Sequence, residues 1–231
     1  HRKRVLAGGG GSWPAMQVMG ENQYGKAFVT QFQEPVAMGF GARSWADGVN
    51  TAGPYAIPAA RMANVETTEL LWPVLVLYRH EVIDTGGAGR WRGGLGANFS
   101  FILHGTSKHL THVSAAACVA FPAHGGLSGG CPGNACRYLL VRNSNHRELM
   151  GNGYLPSGLG EVKGDIELLS PKSQVQQGPE DFYEITFYGG GGYGDPLDRS
   201  LDLLKKDVEN GAVSNEAAKE IYGVVFNEGS G

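Results

Sequence analysis

The stretch FYEITFYGGGGYGDP, residues 182–196, decides the fold prediction because an apolar run leads directly into a run of glycines. Aromatic and β-branched side chains fill residues 182–188, which predicts a strand. Glycine permits backbone conformations and close approaches that other residues resist. We therefore expect a structural glycine turn after this strand, built from Gly189, Gly190, Gly191, Gly192 and Gly194.

The same glycines match the G-x-G-x-x-G pattern of dinucleotide-binding loops, with Glu216 about twenty residues further on. The pattern requires a helix that opens at the glycines, where its amides meet the phosphates. Here Asp195-Pro196 intervenes, and Asp195 would place a negative charge beside the pyrophosphate. The sequence therefore favours a structural role for the run over a cofactor site.

Working outward, most of the chain shows strand patterns separated by Gly-rich loops. Strands are predicted at Lys26–Gln33, Glu69–Arg79, Asn98–Leu103, 110–119, Tyr138–Val141, Asp165–Leu169 and Phe182–Tyr188. Helical periodicity is seen only at the end, where Leu201, Leu204 and Val208 share one face, Gly211 stops that helix, and Ser214 caps a second one. The prediction is an α+β fold, predominantly β, with a body over residues 1–199 and a C-terminal helical pair over 200–226.

Composition excludes several classes of protein. Glycine accounts for 37 of 231 residues, but it follows no G-X-Y period, and 42% of residues are hydrophobic, so collagen and disorder are excluded. A net charge of -3 lacks the basic excess of a nucleic-acid-binding protein. No apolar run is long enough to span a bilayer, and three cysteines are too few for a disulfide scaffold. We expect a cytoplasmic protein, with this chain as a fragment of it.

Two loops combine arginine, tryptophan and acidic residues. One contains Arg90-Trp91-Arg92 between glycines, and the other contains Arg43-Ser44-Trp45-Ala46-Asp47. Guanidinium groups held on rigid turns can clamp a carboxylate or stack on a ring. We therefore select Arg90, Trp91, Arg92, Arg43 and Asp47 as candidates for a substrate pocket or a subunit interface. The alternative is that the arginines pair with Asp84, Glu81 or Glu66 and lock the loop.

The histidines and cysteines do not predict a metal site. His109 and His112 would point to opposite faces of a strand. Cys131 and Cys136 lack the second pair typical of a zinc site, and His124 is the only base near them for cysteine catalysis. No phosphate-binding G-x-x-x-x-G-K-[ST] motif occurs either. We predict neither a metal ion nor a nucleotide bound by this segment, and we assign no catalytic residue.

The order of several motifs resembles the hydantoinase B/oxoprolinase family from about Val5 to Val225. These motifs are GFGAR (39–43), DGVNTAG (47–53), ETTE (66–69), DTGGAGRWRGG (84–94), GGLSGGCPG (125–133), GGGGYGDP (189–196), DVENGAVS (207–214) and AAKEIYG (217–223). The match corresponds to the C-terminal part of the family's B-type subunit.

This resemblance implies an ATP-dependent complex. An A-type subunit would bind ATP and phosphorylate an amide or enol oxygen, and the B-type subunit would hold a divalent metal where the activated small molecule reacts. The family's N-terminal Asn-Asp-Pro-Tyr and Thr-His-x-x-Asp motifs, to which the metal ligands are attributed, are absent here. The expected partners are therefore an A-type subunit and the N-terminal part of the B-type subunit, with no nucleic acid and no membrane.

Four functions remain open from the sequence. The leading one is hydrolysis of a phosphate-activated cyclic amide, and the second is carboxylation of a ketone by the same kind of complex. An alternative of another class is a non-catalytic assembly module, consistent with charged residues making up only 18% of the chain. A stand-alone dinucleotide-binding enzyme is the least favoured, because Asp195-Pro196 separates the glycine run from the helix that would follow it.

Overall fold

Two antiparallel sheets face each other and enclose the main core. The structure is a computed structural model that describes residues 4–10, 15–32, 37–55, 62–115, 119–122 and 124–226. One sheet has the strand order β2-β1-β5-β8 and the other β3-β4-β9-β6-β7. The strands are β1 Ala15–Glu21, β2 Ala27–Gln31, β3 Val74–Glu81, β4 Ala97–Leu103, β5 Leu110–Ala115, β6 Arg137–Arg142, β7 Asp165–Leu168, β8 Lys172–Gln177 and β9 Phe182–Thr186.

Within the described residues, four short helices accompany these strands. They are α1 Val65–Leu71, α2 His146–Gly151, α3 Leu201–Glu209 and α4 Asn215–Glu220, with single 3₁₀ turns at Leu159–Glu161 and Pro196–Asp198. The predicted α+β class, predominantly β with a C-terminal helical pair, is confirmed. Its division at residue 199 stays a prediction.

The core between the sheets is aromatic. Phe99 and Phe101 of β4 and Tyr183 of β9 are buried beneath Val18 of β1 and His112 of β5. The imidazole of His112 stacks on the Tyr183 ring at 4.5 Å between centroids. Every residue of β4 is buried because the outer face of its sheet is covered as well. A second apolar cluster there joins strands β3, β4, β6 and β9 to the segment that follows α2.

The prediction of a strand over Glu69–Arg79 was wrong at its start. Residues up to Leu71 belong to α1, and β3 begins at Val74. Asn64 caps this helix by accepting a hydrogen bond from the Thr67 amide at 2.8 Å. Pro73 then disfavours helical backbone at Trp72, which is extended. Helices α1 and α2 are each two turns or fewer, too short for their periodicity to show.

Strands β1 and β8 also escaped prediction. The burial pattern of β8 alternates, but Val175 is its only apolar residue. In contrast, the predicted helix stop at Gly211 and the predicted helix cap at Ser214 are both confirmed. Gly211 has a φ of 69°, and the Ser214 hydroxyl accepts from the Ala217 amide at 3.0 Å at the start of α4.

The predicted glycine turn is instead an extended run enclosed by backbone. Among Gly189–Gly194 only Gly194 has a positive φ, 78°. A Cβ added at Gly189, Gly190, Gly191 or Gly192 would lie between 2.0 and 2.3 Å from a carbonyl oxygen of another segment. The carbonyls belong, in order, to Thr85, Phe40, Gly125 and Ala88. Thr85, which faces Gly189, and Ala88, which faces Gly192, lie on the same loop. The contacts with that loop therefore repeat every three residues, as in a polyproline II helix.

We call this region the glycine layer: residues 39–42, 86–94, 125–133 and 189–194. Its segments are joined by backbone hydrogen bonds, for example Gly190 N to Gly94 O at 2.9 Å and Gly192 N to Cys131 O at 2.9 Å. This close packing is the physical reason for much of the glycine excess, since a side chain would force the segments apart. Helices α3 and α4 pack onto the layer at Ala88 and Cys131.

Candidate functional site

A network of four charged side chains, three of them buried and Asp47 half-buried, lies where the glycine layer meets α3. Arg199 donates two hydrogen bonds to the carboxylate of Asp47, at 2.9 and 2.8 Å, and one to Asp207 Oδ2 at 2.5 Å. Arg92 Nε lies 3.4 Å from Asp207 Oδ1. We call these four residues, Asp47, Arg92, Arg199 and Asp207, the charge clamp. Its two positive and two negative groups compensate each other.

Local structure positions each member of the clamp. Asp47 lies on the 43–50 loop and also accepts the Arg92 amide at 2.7 Å. Arg199 directly follows the 3₁₀ turn at Pro196–Asp198. Asp207 projects from the buried side of α3, three residues after the buried Leu204. Although burial disfavours the charged guanidinium, the carboxylates of Asp47 and Asp207 raise the pKa of Arg199 above its ordinary value.

A cleft of about 250 Å³ opens beside the clamp. Besides Asp47, Arg92 and Asp207, it is lined by Asn50, Glu81, Leu95, Leu203, Lys206, Asn210 and Ala212. Sites for organic ligands commonly occupy about 300–1,000 Å³, so this cleft suits a few waters or a small ion better than a ring substrate. Two of the residues selected from the sequence thus line a common cleft, but their charged groups are already engaged there.

The structure divides the five selected residues into two groups. Asp47 and Arg92 belong to the clamp, and Arg92 pairs with Asp207 rather than with Asp84, Glu81 or Glu66. Arg43 and Arg90 lie toward the surface instead. Trp91 is half-buried, and its indole nitrogen donates to the Ser44 carbonyl at 3.1 Å, so it joins the two loops.

The amides of the glycine run are not available to a phosphate group. Gly189 donates to Asn134 Oδ1 at 2.7 Å, and the amides of residues 190–194 each donate to a carbonyl of another segment. A dinucleotide site would need several of these amides directed at the ligand. The observed hydrogen bonds therefore argue against phosphate binding at this run.

The family model described as hydantoinase B/oxoprolinase matches residues 1–196. The chain belongs to this family. The alpha subunit of acetone carboxylase from Xanthobacter autotrophicus is 28% identical over 99% of this chain and 31% of its own length. Subunit beta of caprolactamase from Pseudomonas jessenii is 30% identical over 87% of this chain and 32% of its own length.

Solved structures of the family agree with this assignment. The nucleotide-free structure of acetone carboxylase, from work on ATP-dependent acetone carboxylation, superposes with a TM-score of 0.82 at 28% identity, covering 94% of this chain and 30% of that chain. The crystal structure of ATP-dependent caprolactamase from Pseudomonas jessenii superposes with a TM-score of 0.78 at 25% identity. This match covers 99% of this chain and 37% of that chain. The chain spans about a third of the length of the curated relatives it matches.

The divalent metal that the family resemblance implies does not fit the described part of this chain. Within those residues no three His, Cys, Asp or Glu side chains are placed to hold an ion. His112 is in the core, and His124 is buried with its ring 4.2 Å from that of Tyr188. Cys136 is buried and Cys131 half-buried, whereas Cys118 lies outside the described residues.

The burial of His112 leads to a pH prediction. Burial lowers the pKa of this imidazole from 6.5 to about 3. The unfolded chain therefore takes up a proton here below pH 6.5, whereas the folded chain does not until about pH 3. Stability from this group is fully present above pH 6.5 and falls as the pH drops toward 3.

We expect a loss of about 2 kcal/mol in the free energy of unfolding between pH 7 and pH 5 from His112. Urea titrations of the full chain at both pH values should show this loss, and His112→Gln should reduce it by that amount. His104→Gln, at an exposed position, is the matched control and should leave the dependence unchanged. An NMR titration in which the His112 imidazole protonates near pH 6.5 would contradict the prediction.

Sequence reasoning missed several buried charged residues, among them Arg199, Asp207 and Glu184. Arg199 and Asp207 complete the clamp, and Glu184 of β9 accepts hydrogen bonds from Tyr78 and Thr186 on the outer face of its sheet. A signal existed only for Asp207, whose position three residues after Leu204 places it on the inner side of α3.

None of the helices in the described ranges is long and apolar enough to cross a membrane.

Proposed function

We propose that this chain is the C-terminal part of a B-type subunit in an ATP-dependent complex that hydrolyses a cyclic amide. The observation that carries the proposal is the likeness to caprolactamase, whose subunit beta is 30% identical and whose ATP-dependent structure superposes over 99% of this chain. A lactam carbon is unreactive because of amide resonance. Phosphorylation of its oxygen, which the family resemblance implies, weakens that resonance and makes the carbon electrophilic toward water.

Within that complex we assign the described residues a framework role, in which they support one wall of the site. The charge clamp supports this, since Arg92 and Asp47 are engaged with residues of their own chain. We infer that ATP is bound by an A-type subunit, because this chain lacks a phosphate-binding lysine motif and its glycine-run amides are already donated. The metal ion and the catalytic residues belong to the rest of the complex in this proposal.

Carboxylation of a ketone is the second candidate. The specific observation in its favour is the higher TM-score to acetone carboxylase, 0.82 against 0.78. The acetophenone carboxylase delta subunit of Aromatoleum aromaticum, 29% identical over 95% of this chain, adds to it. Both candidates use ATP to activate a carbonyl oxygen, so they differ in substrate and in the need for bicarbonate.

An assay of the complete complex separates the two. ATP hydrolysis is measured with caprolactam, with a hydantoin, and with acetone or acetophenone, each with and without bicarbonate. We expect a cyclic amide to stimulate ATP hydrolysis without bicarbonate and to be converted to its ring-opened product. Stimulation only by a ketone together with bicarbonate would overturn the first candidate in favour of the second. If neither class of substrate stimulates ATP hydrolysis, both proposals fail.

A further inference from the structure

A surface on the outer side of the glycine layer combines an exposed tryptophan with arginines. Trp45 is 62% exposed, and the guanidinium of Arg43 lies 5.4 Å from the centre of its ring. Leu6, 42% exposed, pairs with Arg43 through an isolated β-bridge. The exposed Arg90 lies on the neighbouring loop, which the Trp91 indole ties to Ser44. We call Leu6, Arg43, Trp45 and Arg90 the Trp45 patch.

The positive charge of this patch is not neutralised within the described part of the chain. No carboxylate there lies within 4.0 Å of the guanidinium nitrogens of Arg43 or Arg90, whereas Arg92 and Arg199 each have such a partner. Arg90 and Arg92 lie two positions apart on the same loop, so the difference between these two is one of position. The inward ones stabilise the fold, and the outward ones are left with their charge directed to the surface.

The patch is also held in a fixed shape. The Ala42 amide donates to Gly191 O at 2.9 Å, and the Arg43 amide donates to Ala46 O at 2.9 Å. Asp47, two residues after Trp45, is bound by Arg199 in the charge clamp. A tryptophan on a rigid loop loses little conformational entropy on binding, which favours affinity. Tryptophan and arginine are also the residues most enriched among those that dominate protein–protein binding energy.

We propose that the Trp45 patch docks an acidic protein surface of another subunit. Carboxylates of that subunit pair with Arg43 and Arg90, and an apolar recess takes the Trp45 ring. Charge complementarity selects this occupant, because Arg43 beside the exposed Trp45 ring and Arg90 on the neighbouring loop both lack a carboxylate partner in the described residues. The inference deepens the proposed function, since it rests on the chain working within an assembly.

Site-specific photo-crosslinking in the complete complex tests the contact. A benzophenone amino acid replaces Trp45 in one sample and Phe121, 70% exposed, in the control sample. We expect the Trp45 position to crosslink to a peptide of another subunit that contains Asp or Glu, and the Phe121 position to give no such product. Crosslinks only within this chain, to a basic peptide, or to nucleic acid would overturn the proposal.

Charge reversal supplies a second readout. Arg43→Glu and Trp45→Ala should each weaken assembly by at least about tenfold, measured by mass photometry across a dilution series. Arg137→Glu, at an exposed position outside the patch, is the matched control and should leave assembly unchanged. Loss of the Arg43 effect at high salt is also expected, because exposed charges are screened. Wild-type assembly in both patch variants would refute the docking role.

The two proposals fail separately. If the complex converts a cyclic amide or a ketone but the Trp45 position gives no intersubunit crosslink, only the docking surface is wrong. If the crosslink forms but neither substrate stimulates ATP hydrolysis, only the proposed reaction is wrong.

Discussion

Gly190→Ala is expected to lower the free energy of unfolding by about 4 kcal/mol or more, at the upper end of single substitutions. The added Cβ would lie 2.0 Å from Phe40 O and 2.2 Å from Phe40 C, and both atoms are backbone. No side chain can rotate away to relieve this clash. The segments must separate, which weakens the hydrogen bonds from Gly190 N to Gly94 O and from Gly87 N to Gly190 O.

Gly125→Ala is the matched control for this prediction. Gly125 belongs to the same layer and its carbonyl accepts from Gly8, but a Cβ there meets nothing within 4 Å and its φ is not positive. We expect its free energy of unfolding to stay within about 0.5 kcal/mol of the wild-type value. Urea denaturation of both variants, with the slope of the transition compared as well as its midpoint, separates the two cases. Equal stability of the two variants would show that the glycine run is not closely packed.

The glycine layer also shows where sequence reasoning reaches its limit. The sequence predicts a structural turn at 189–194, whereas the structure shows an extended segment there. Glycine is required both at positive φ and where backbones touch, and a sequence does not distinguish these causes. The distinction needs the neighbours, which come from Thr85, Phe40, Gly125 and Ala88 in distant parts of the chain.

Strands with aromatic alternation were the most predictable part of the fold. Phe99, Phe101 and Leu103 share one face of the predicted strand β4, because period-two alternation follows directly from the pleat of a strand. In contrast, the secondary structure of β8 and α1 is not marked by a local apolar pattern. The first is a polar edge strand with one apolar residue, and the second is defined by a cap and a proline rather than by an apolar face.

The charged residues show the same contrast between local and distant information. The chemistry of the Arg90-Trp91-Arg92 loop marked it as engaged in contacts, and the fold then assigned Arg92 and Arg90 opposite roles. Arg92 pairs inward with Asp207, whereas Arg90 remains exposed. Arg199 lies 152 positions from Asp47, and no local pattern links the two. Pairing across such separations is a property of the packed chain alone.

Arg199→Met is the second substitution with a large expected effect. It keeps an unbranched aliphatic stem but removes both hydrogen bonds to Asp47 and the one to Asp207. Asp207 would then keep only the 3.4 Å contact with Arg92. Removing one partner of a buried ion pair commonly costs about 3–5 kcal/mol, because the remaining charge is left without compensation. We expect a loss of that size in the free energy of unfolding.

Two further variants test the cause of this loss. Lys205→Met removes an exposed cation of α3 whose contact with Glu209 is 3.7 Å, and it should cost at most about 0.5 kcal/mol. Adding Asp207→Asn to Arg199→Met removes one uncompensated carboxylate, so the double variant should be more stable than the sum of the single effects predicts. If Arg199→Met costs no more than Lys205→Met, the clamp does not hold α3 to the glycine layer. Additive single effects would mean that Arg199 and Asp207 contribute separately, because coupling is what distinguishes one buried network from two independent contacts.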